Sequence, residues 1–172
     1  MTIVGRRLTK SQLESGIRGS VSPFHGDCIF GSSKGDFMEV SAHYLGISKF
    51  EVAARGHRVI CGQPLDNGGS DEGMSPPEFL LASLATCAAY YAAQYLKARG
   101  LPAHDLTVRV NAEKAAQPAR LASFRIEVMV SALDDRHQEG ILRAVKACLI
   151  HNTLLGTPHI EIAVNQEALA QV

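Results

Sequence analysis

The chain has 172 residues, with 17 basic and 17 acidic side chains and a net charge of zero. That balance leaves no electrostatic footprint for nucleic acid or an anionic membrane surface. Apolar residues make up 46% of the chain, enough for one domain, or one domain with an extension, to bury a core. The apolar stretch around residue 87 carries Glu78, Ser83, Thr86 and Gln94, so no span of membrane-crossing length is expected. The opening MTIVGRR lacks the apolar core of a secretion signal. Four cysteines, at positions 28, 61, 87 and 148, form no CxxC pair. They predict a cytoplasmic chain with reduced thiols, in which any disulfide is transient and functional.

Residues 1–35 are polar and rich in Gly and Ser, and read as an arm with little core of its own. The domain is expected over 36–172. From Phe37 the pattern alternates, with Met38, Val40, Ala42 and Tyr44 on one face. Phe50 to Ala53 and His57 to Cys61 follow around the Arg55-Gly56 turn. These stretches predict two or three strands joined by tight turns. Pro64 to Gly73 is dense in turn formers and reads as a loop. Ser75, Pro76, Pro77 and Glu78 make a helix start with a capping box, and Gly100 and Pro102 stop that helix near Arg99. Leu80, Leu84, Cys87 and Tyr91 recur at helical spacing, which points Cys87 inward. Six alanines between 82 and 93 keep the helix thin and suit a central position. Leu106 to Asn111 and Phe124 to Ala132 alternate as half-buried antiparallel strands around Gln117-Pro118. Asp134 and Asp135 read as caps for a second helix, His137 to Leu154, with Ile141, Val145 and Cys148 on its inner face. His159 to Val164 reads as a last strand. The order predicts an α+β fold with a mostly antiparallel sheet covering two central helices.

A cysteine on an apolar helix face usually packs as a small hydrophobe. Two of them, on two central helices, could instead meet as a thiol pair if their Cα atoms come within about 7 Å. Spacing alone leaves this open. His151, one turn after Cys148, is a candidate for proton transfer or simply a satisfied helix-end histidine. His25 with Cys28, and Cys148 with His151, are ligand pairs that could together hold zinc, although neither has a partner motif and no metal or cofactor is expected.

The run from Ser75 to Cys87, SPPEFLLASLATC, resembles the signature of the OsmC/Ohr family of osmotically induced proteins and organic hydroperoxide reductases. The preceding Gly68 to Gly73 loop is similar to that family's, and Arg143 to Cys148 resembles its second-cysteine helix. The resemblance covers about residues 37–165. It implies an OsmC-like fold and an intertwined homodimer with two sites at the subunit interface. It also implies a peroxidase mechanism. Cys87 attacks an organic hydroperoxide and becomes a sulfenic acid. Cys148 condenses with it to a disulfide. A dithiol, a lipoyl group being one candidate in this family, reduces the bridge. An apolar lining that includes Leu80, Leu84 and Val145 would favour organic peroxides over hydrogen peroxide.

The sequence departs from the reductase branch at the activating cation. That branch uses an arginine in an early strand, oriented by a glutamate that aligns with Pro77 here, and Glu78 lies one residue later. No arginine lies between Leu45 and Lys49, so Lys49, Arg55 and Arg58 are the candidate substitutes. The alternative reading is a non-catalytic OsmC-like stress protein or redox sensor that binds a small apolar or thiol ligand.

Overall fold

The computed structural model describes residues 38–131 and 133–165, so the expected arm and its Cys28 lie outside the described residues. The alternating segment forms three strands, β1 (Ser41–Gly46), β2 (Lys49–Ala54) and β3 (His57–Cys61), in one antiparallel sheet of that order. Tyr44 pairs with Phe50 across β1 and β2, and their rings sit 5.4 Å apart. Ile47 and Ser48 turn the chain at φ 47° and 53°, the positive values a two-residue hairpin demands. A β-branched residue bears them with strain.

After β3 the loop folds back on itself. Gly62 donates to the Met74 carbonyl at 3.2 Å, and Cys61 and Met74 form an isolated parallel bridge. A Cβ on Gly69 would fall 1.8 Å from the Gln63 carbonyl oxygen, so only glycine fits there. Ser75 then caps α1 (Pro76–Lys97): its backbone N–H and hydroxyl both donate to Glu78 Oε2, at 2.7 and 2.8 Å. The capping box read from the sequence is present.

Helix α1 buries Leu84, Ala88, Ala92 and Leu96. This corrects the expected stripe. Leu80 is exposed and Cys87 lies at the margin, partly buried. The side chains at 84, 88, 92 and 96 follow the four-residue row of a helix, and the sequence pattern alone did not rank that row above its neighbour. The expectation about membrane length is also corrected. With 22 residues α1 is long and apolar enough to cross a membrane by length and composition, but here its apolar row packs inside the protein.

The hairpin β4 (Thr107–Ala116) and β5 (Ala119–Met129) lies against α1. Val108 pairs with Val128 and Val110 with Ile126. Val108, Ile126 and Val128 pack on the core of Ala88, Ala92, Leu96, Ile141 and Val145. Helix α2 (Asp135–Lys146) closes the other side, with Asp134 Oδ1 accepting the His137 N–H at 2.8 Å. The cap reading of Asp134 holds. The alanine row of α1 lets α2 approach closely. Gly140 is buried against Tyr95, and a Cβ there would fall 1.9 Å from the Tyr95 hydroxyl.

Two expected elements differ. The single helix from His137 to Leu154 is broken. Helix α2 ends at Lys146, the backbone turns extended at Cys148 (φ −60°, ψ 130°), and α3 (Leu149–Leu155) begins there. No Gly or Pro marks the break, and Ile141, Val145 and Cys148 keep a helical spacing, so periodicity runs straight through it. His159 to Val164 is not a strand: Ile160, Ile162 and Val164 are 77%, 87% and 92% exposed. A strand needs a neighbour to satisfy its backbone, and this segment has none among the described residues. The architecture is α+β, with antiparallel sheets and three α-helices among the described residues.

Candidate functional site

The two cysteines meet. Cys87 projects from the middle of α1 and is partly exposed, while Cys148 is completely buried at the start of α3. Their thiols are neighbours, close enough for Cys87 to act on the Cys148 proton. Both are free thiols, as is Cys61, which is buried at the end of β3. The close packing of α1 with α2 brings the pair together, and the break after Lys146 turns Cys148 toward α1.

Burial pushes the Cys148 thiol above its ordinary pKa, because the anion loses its water. The neighbouring Cys87 thiol adds to the rise. The backbone N–H groups of His151 and Ile150 act in the opposite direction, since their dipoles favour an anion on the sulfur. Cys148 is therefore held as a thiol in a place equipped to receive its anion.

Two open cavities flank the break. One, of about 800 Å³, lies between β5 and α2 and includes Val128, Ile141, Val145 and Lys146 in its walls. The other, of about 720 Å³, is walled by Leu80, Leu84, Arg120, Phe124, Leu154 and others. Ile126 and His151 belong to both. The expected apolar residues thus divide, with Leu80 and Leu84 in one cavity and Val145 in the other. Arg120, Asp105 and Lys146 also reach the walls. Sequence reading passed over them because each sits near a turn or helix end, where a charge needs no explanation.

The candidate cations lie elsewhere. Lys49, Arg55 and Arg58 belong to the three-stranded sheet and to neither cavity wall. Lys49 Nζ pairs with Glu72 at 2.8 Å, and Glu72 also accepts from the Ser70 hydroxyl. Both contacts, the lysine's first, hold the Glu72 carboxyl below its usual pKa. Arg58 pairs with Glu51 on the adjacent strand. Arg55 sits in the β2–β3 turn at φ 56°. Glu78 is committed to the α1 cap: hydrogen bonds from the Ser75 backbone and hydroxyl lower its pKa. It is thereby engaged away from any arginine partner. Glu72 was not singled out from the sequence, since the loop around it reads only as turn formers. Among the described residues no cluster of three or more His, Cys, Asp or Glu side chains is arranged to hold a metal. The His25–Cys28 half of the zinc reading lies outside them.

Residues 69–163, more than half of the chain, match the family model described as OsmC-like protein. No functionally curated protein gives a significant match. Among solved structures the chain is similar to a Psychrobacter arcticus protein described provisionally as an osmotic stress induced and detoxification response protein. The TM-score is 0.62 at 23% identity, over 66% of this chain and 85% of that one. An OsmC-like protein from Mycoplasma pneumoniae aligns at TM-score 0.58 and 19% identity, over 71% and 89%. An organic hydroperoxide resistance protein OsmC from Legionella pneumophila aligns at 0.53 and 17%, over 72% and 93%. These likenesses agree with the α+β fold, and with the family model spanning both cysteines they lead to one conclusion: the chain belongs to the OsmC-like protein family.

Proposed function

We propose that this protein is a thiol-dependent peroxidase for organic hydroperoxides. The observation that carries the reading is the Cys87–Cys148 pair, 61 residues apart in sequence and neighbours in the fold. A Legionella relative in fold is named for organic hydroperoxide resistance, which supports the substrate class. Cys87 is the attacking residue, because it is the accessible one and Cys148 is buried and held protonated. The Cys87 thiolate attacks the terminal peroxide oxygen. The O–O bond breaks, the alcohol leaves with a proton, and Cys87 becomes a sulfenic acid. Cys148 displaces the sulfenic oxygen as water and forms the disulfide. A dithiol, with a lipoyl group as candidate, restores both thiols by exchange.

The apolar walls of the two cavities, Leu80, Leu84 and Val145 among them, favour an organic substituent over bare hydrogen peroxide. Lys49 is the activating cation in this reading, because Glu72 orients it from a different segment, as a carboxylate must. Arg55 and Arg58 are the reserve candidates. The protein works as a cytoplasmic homodimer, in which the sheet bearing Lys49 serves the site across the subunit contact. The exposed apolar side chains on and before β1, Val40 and Tyr44 among them, support that assembly.

The test is a thiol count with peptide mapping. Fully reduced protein receives one equivalent of cumene hydroperoxide, with hydrogen peroxide in parallel. Two of the four thiols should be lost, mapped to a Cys87–Cys148 bridge, and faster with the organic peroxide. Cys87→Ser should lose no thiol rapidly, and Lys49→Met should slow the first step. The second reading is a non-catalytic OsmC-like protein that senses or binds a small apolar or thiol ligand. The position of all three candidate cations outside the cavity walls favours it. Four unchanged thiols, with a ligand taken up by the cavities, would establish that reading instead.

A further inference from the structure

We propose that His151 is the proton carrier of the condensing step, taking the proton from Cys148 and delivering it to the oxygen that leaves Cys87. The inference rests on the peroxidase reading for its second half only.

Three observations place His151 in this role. It lies three residues after Cys148, at the start of α3, and its backbone N–H acts on the Cys148 sulfur. The residue is partly buried and lines both cavities. Its Nδ1 lies 3.3 Å from Asn152 Oδ1. An amide oxygen can only accept, so Nδ1 carries the hydrogen and Nε2 keeps its lone pair. The neighbour thus sets the tautomer that a base needs. The other titratable side chains lining these cavities are Asp105, Lys146 and Arg120. Lys146 and Arg120 are cations at neutral pH and cannot accept a proton. Asp105 is engaged by the Ser131 N–H, which donates to it at 2.9 Å.

The chemistry calls for such a group at both ends. Cys148 is buried and protonated, so it must lose a proton before it attacks. Hydroxide is a poor leaving group, so the oxygen on Cys87 must gain one. His151 Nε2 accepts the Cys148 proton. The thiolate attacks the Cys87 sulfur, the S–S bond forms, and the S–O bond breaks with its electron pair on oxygen. The imidazolium gives its proton to that oxygen and water departs. The sulfenic sulfur is reduced and the Cys148 sulfur oxidised to the same level, so the step needs no further oxidant or reductant.

The two steps can be timed separately in the full-length reduced protein. Dimedone trapping reads the Cys87 sulfenic acid, and mass spectrometry of quenched samples reads the disulfide. In His151→Ala and His151→Gln the sulfenic acid should form at the wild-type rate. The disulfide should then form about 100-fold more slowly, the usual loss with a general acid–base group. Free imidazole should restore the rate of His151→Ala in proportion to its concentration. Asn152→Leu, at an exposed position, should slow the step less, which keeps the test open should the His151 variants fold poorly. A parallel arm loads Cys87 with the aryl thiolate of Ellman's reagent and times release of that thiolate by Cys148. This arm reads deprotonation of Cys148 without any peroxide. If wild-type protein forms no sulfenic acid, the peroxidase reading falls, and the aryl disulfide arm still decides whether His151 is the base. Unchanged rates in the His151 variants, or slower rates without imidazole rescue, overturn the proposal.

Discussion

Cys148 carries opposing influences on one sulfur. Burial and the Cys87 contact favour the thiol, and two backbone N–H groups favour the anion. Burial dominates, so the folded pKa lies above the unfolded one. The sign follows from linkage: the native state holds this proton more tightly, so its contribution is full below the unfolded pKa. It is lost as pH rises through the folded value. Thermal unfolding of reduced protein should therefore show a loss of stability on the alkaline side of about pH 9. In Cys148→Ala that alkaline limb should flatten. A limb equally steep in the variant, measured by circular dichroism melts across pH, would mean that another group is responsible.

At the scale of elements, the contact between α1 and α2 sets the geometry of the thiol pair. It depends on small residues, Ala88 and Ala92 on one helix and Gly140 on the other. Gly140→Ala would force the Tyr95 ring to move, and with it the Tyr95 hydroxyl, which lies 3.2 Å from His137 Nδ1, and the Arg99 guanidinium stacked 3.7 Å above the ring. Overpacking of this kind costs about 1–3 kcal/mol. The variant should unfold at correspondingly lower denaturant concentration with an unchanged slope, and a midpoint equal to wild type would show that the helices slide apart without cost. The packing was partly legible in the sequence. The capping box at Ser75, the alanine-rich face and the alternating hairpin each follow from local chemistry, which a sequence displays. The break at Cys148 does not, because its cause is the docking of α3 and no local stop signal marks it. The Lys49–Glu72 pair was equally hidden, since it joins residues 23 positions apart through a loop whose path is set by close backbone contacts.

At the scale of the molecule, much apolar surface has no cover among the described residues. The three-stranded sheet makes few contacts with the helices among them. Val40, Tyr44 and Ile47 stand exposed on or beside it, as do Ile160, Ile162 and Val164 in the tail. Such a surface on a folded chain marks a contact site, and the alternation in the tail suits a strand completed by a second subunit. Sedimentation equilibrium should find a dimer. Replacing Ile160 and Ile162 together with Ser should move the equilibrium toward monomer by at least tenfold, and no change in mass distribution would remove the tail from the interface.

The exposed tail also bears on how a subunit freed from the proposed dimer would behave. Residues 157–165 form no helix or strand, expose Ile160, Ile162 and Val164 at alternate positions and pair with no strand among the described residues, features that let one chain's backbone template another's. A dissociated subunit would then be sticky rather than merely inactive. Weakening the contact through the three-stranded sheet, with the tail left intact, would show as precipitate and lost yield before it showed as a population of soluble monomers. Solubility would become the first reporter of subunit affinity, and the concentration at which the protein is stored would matter as much as its temperature.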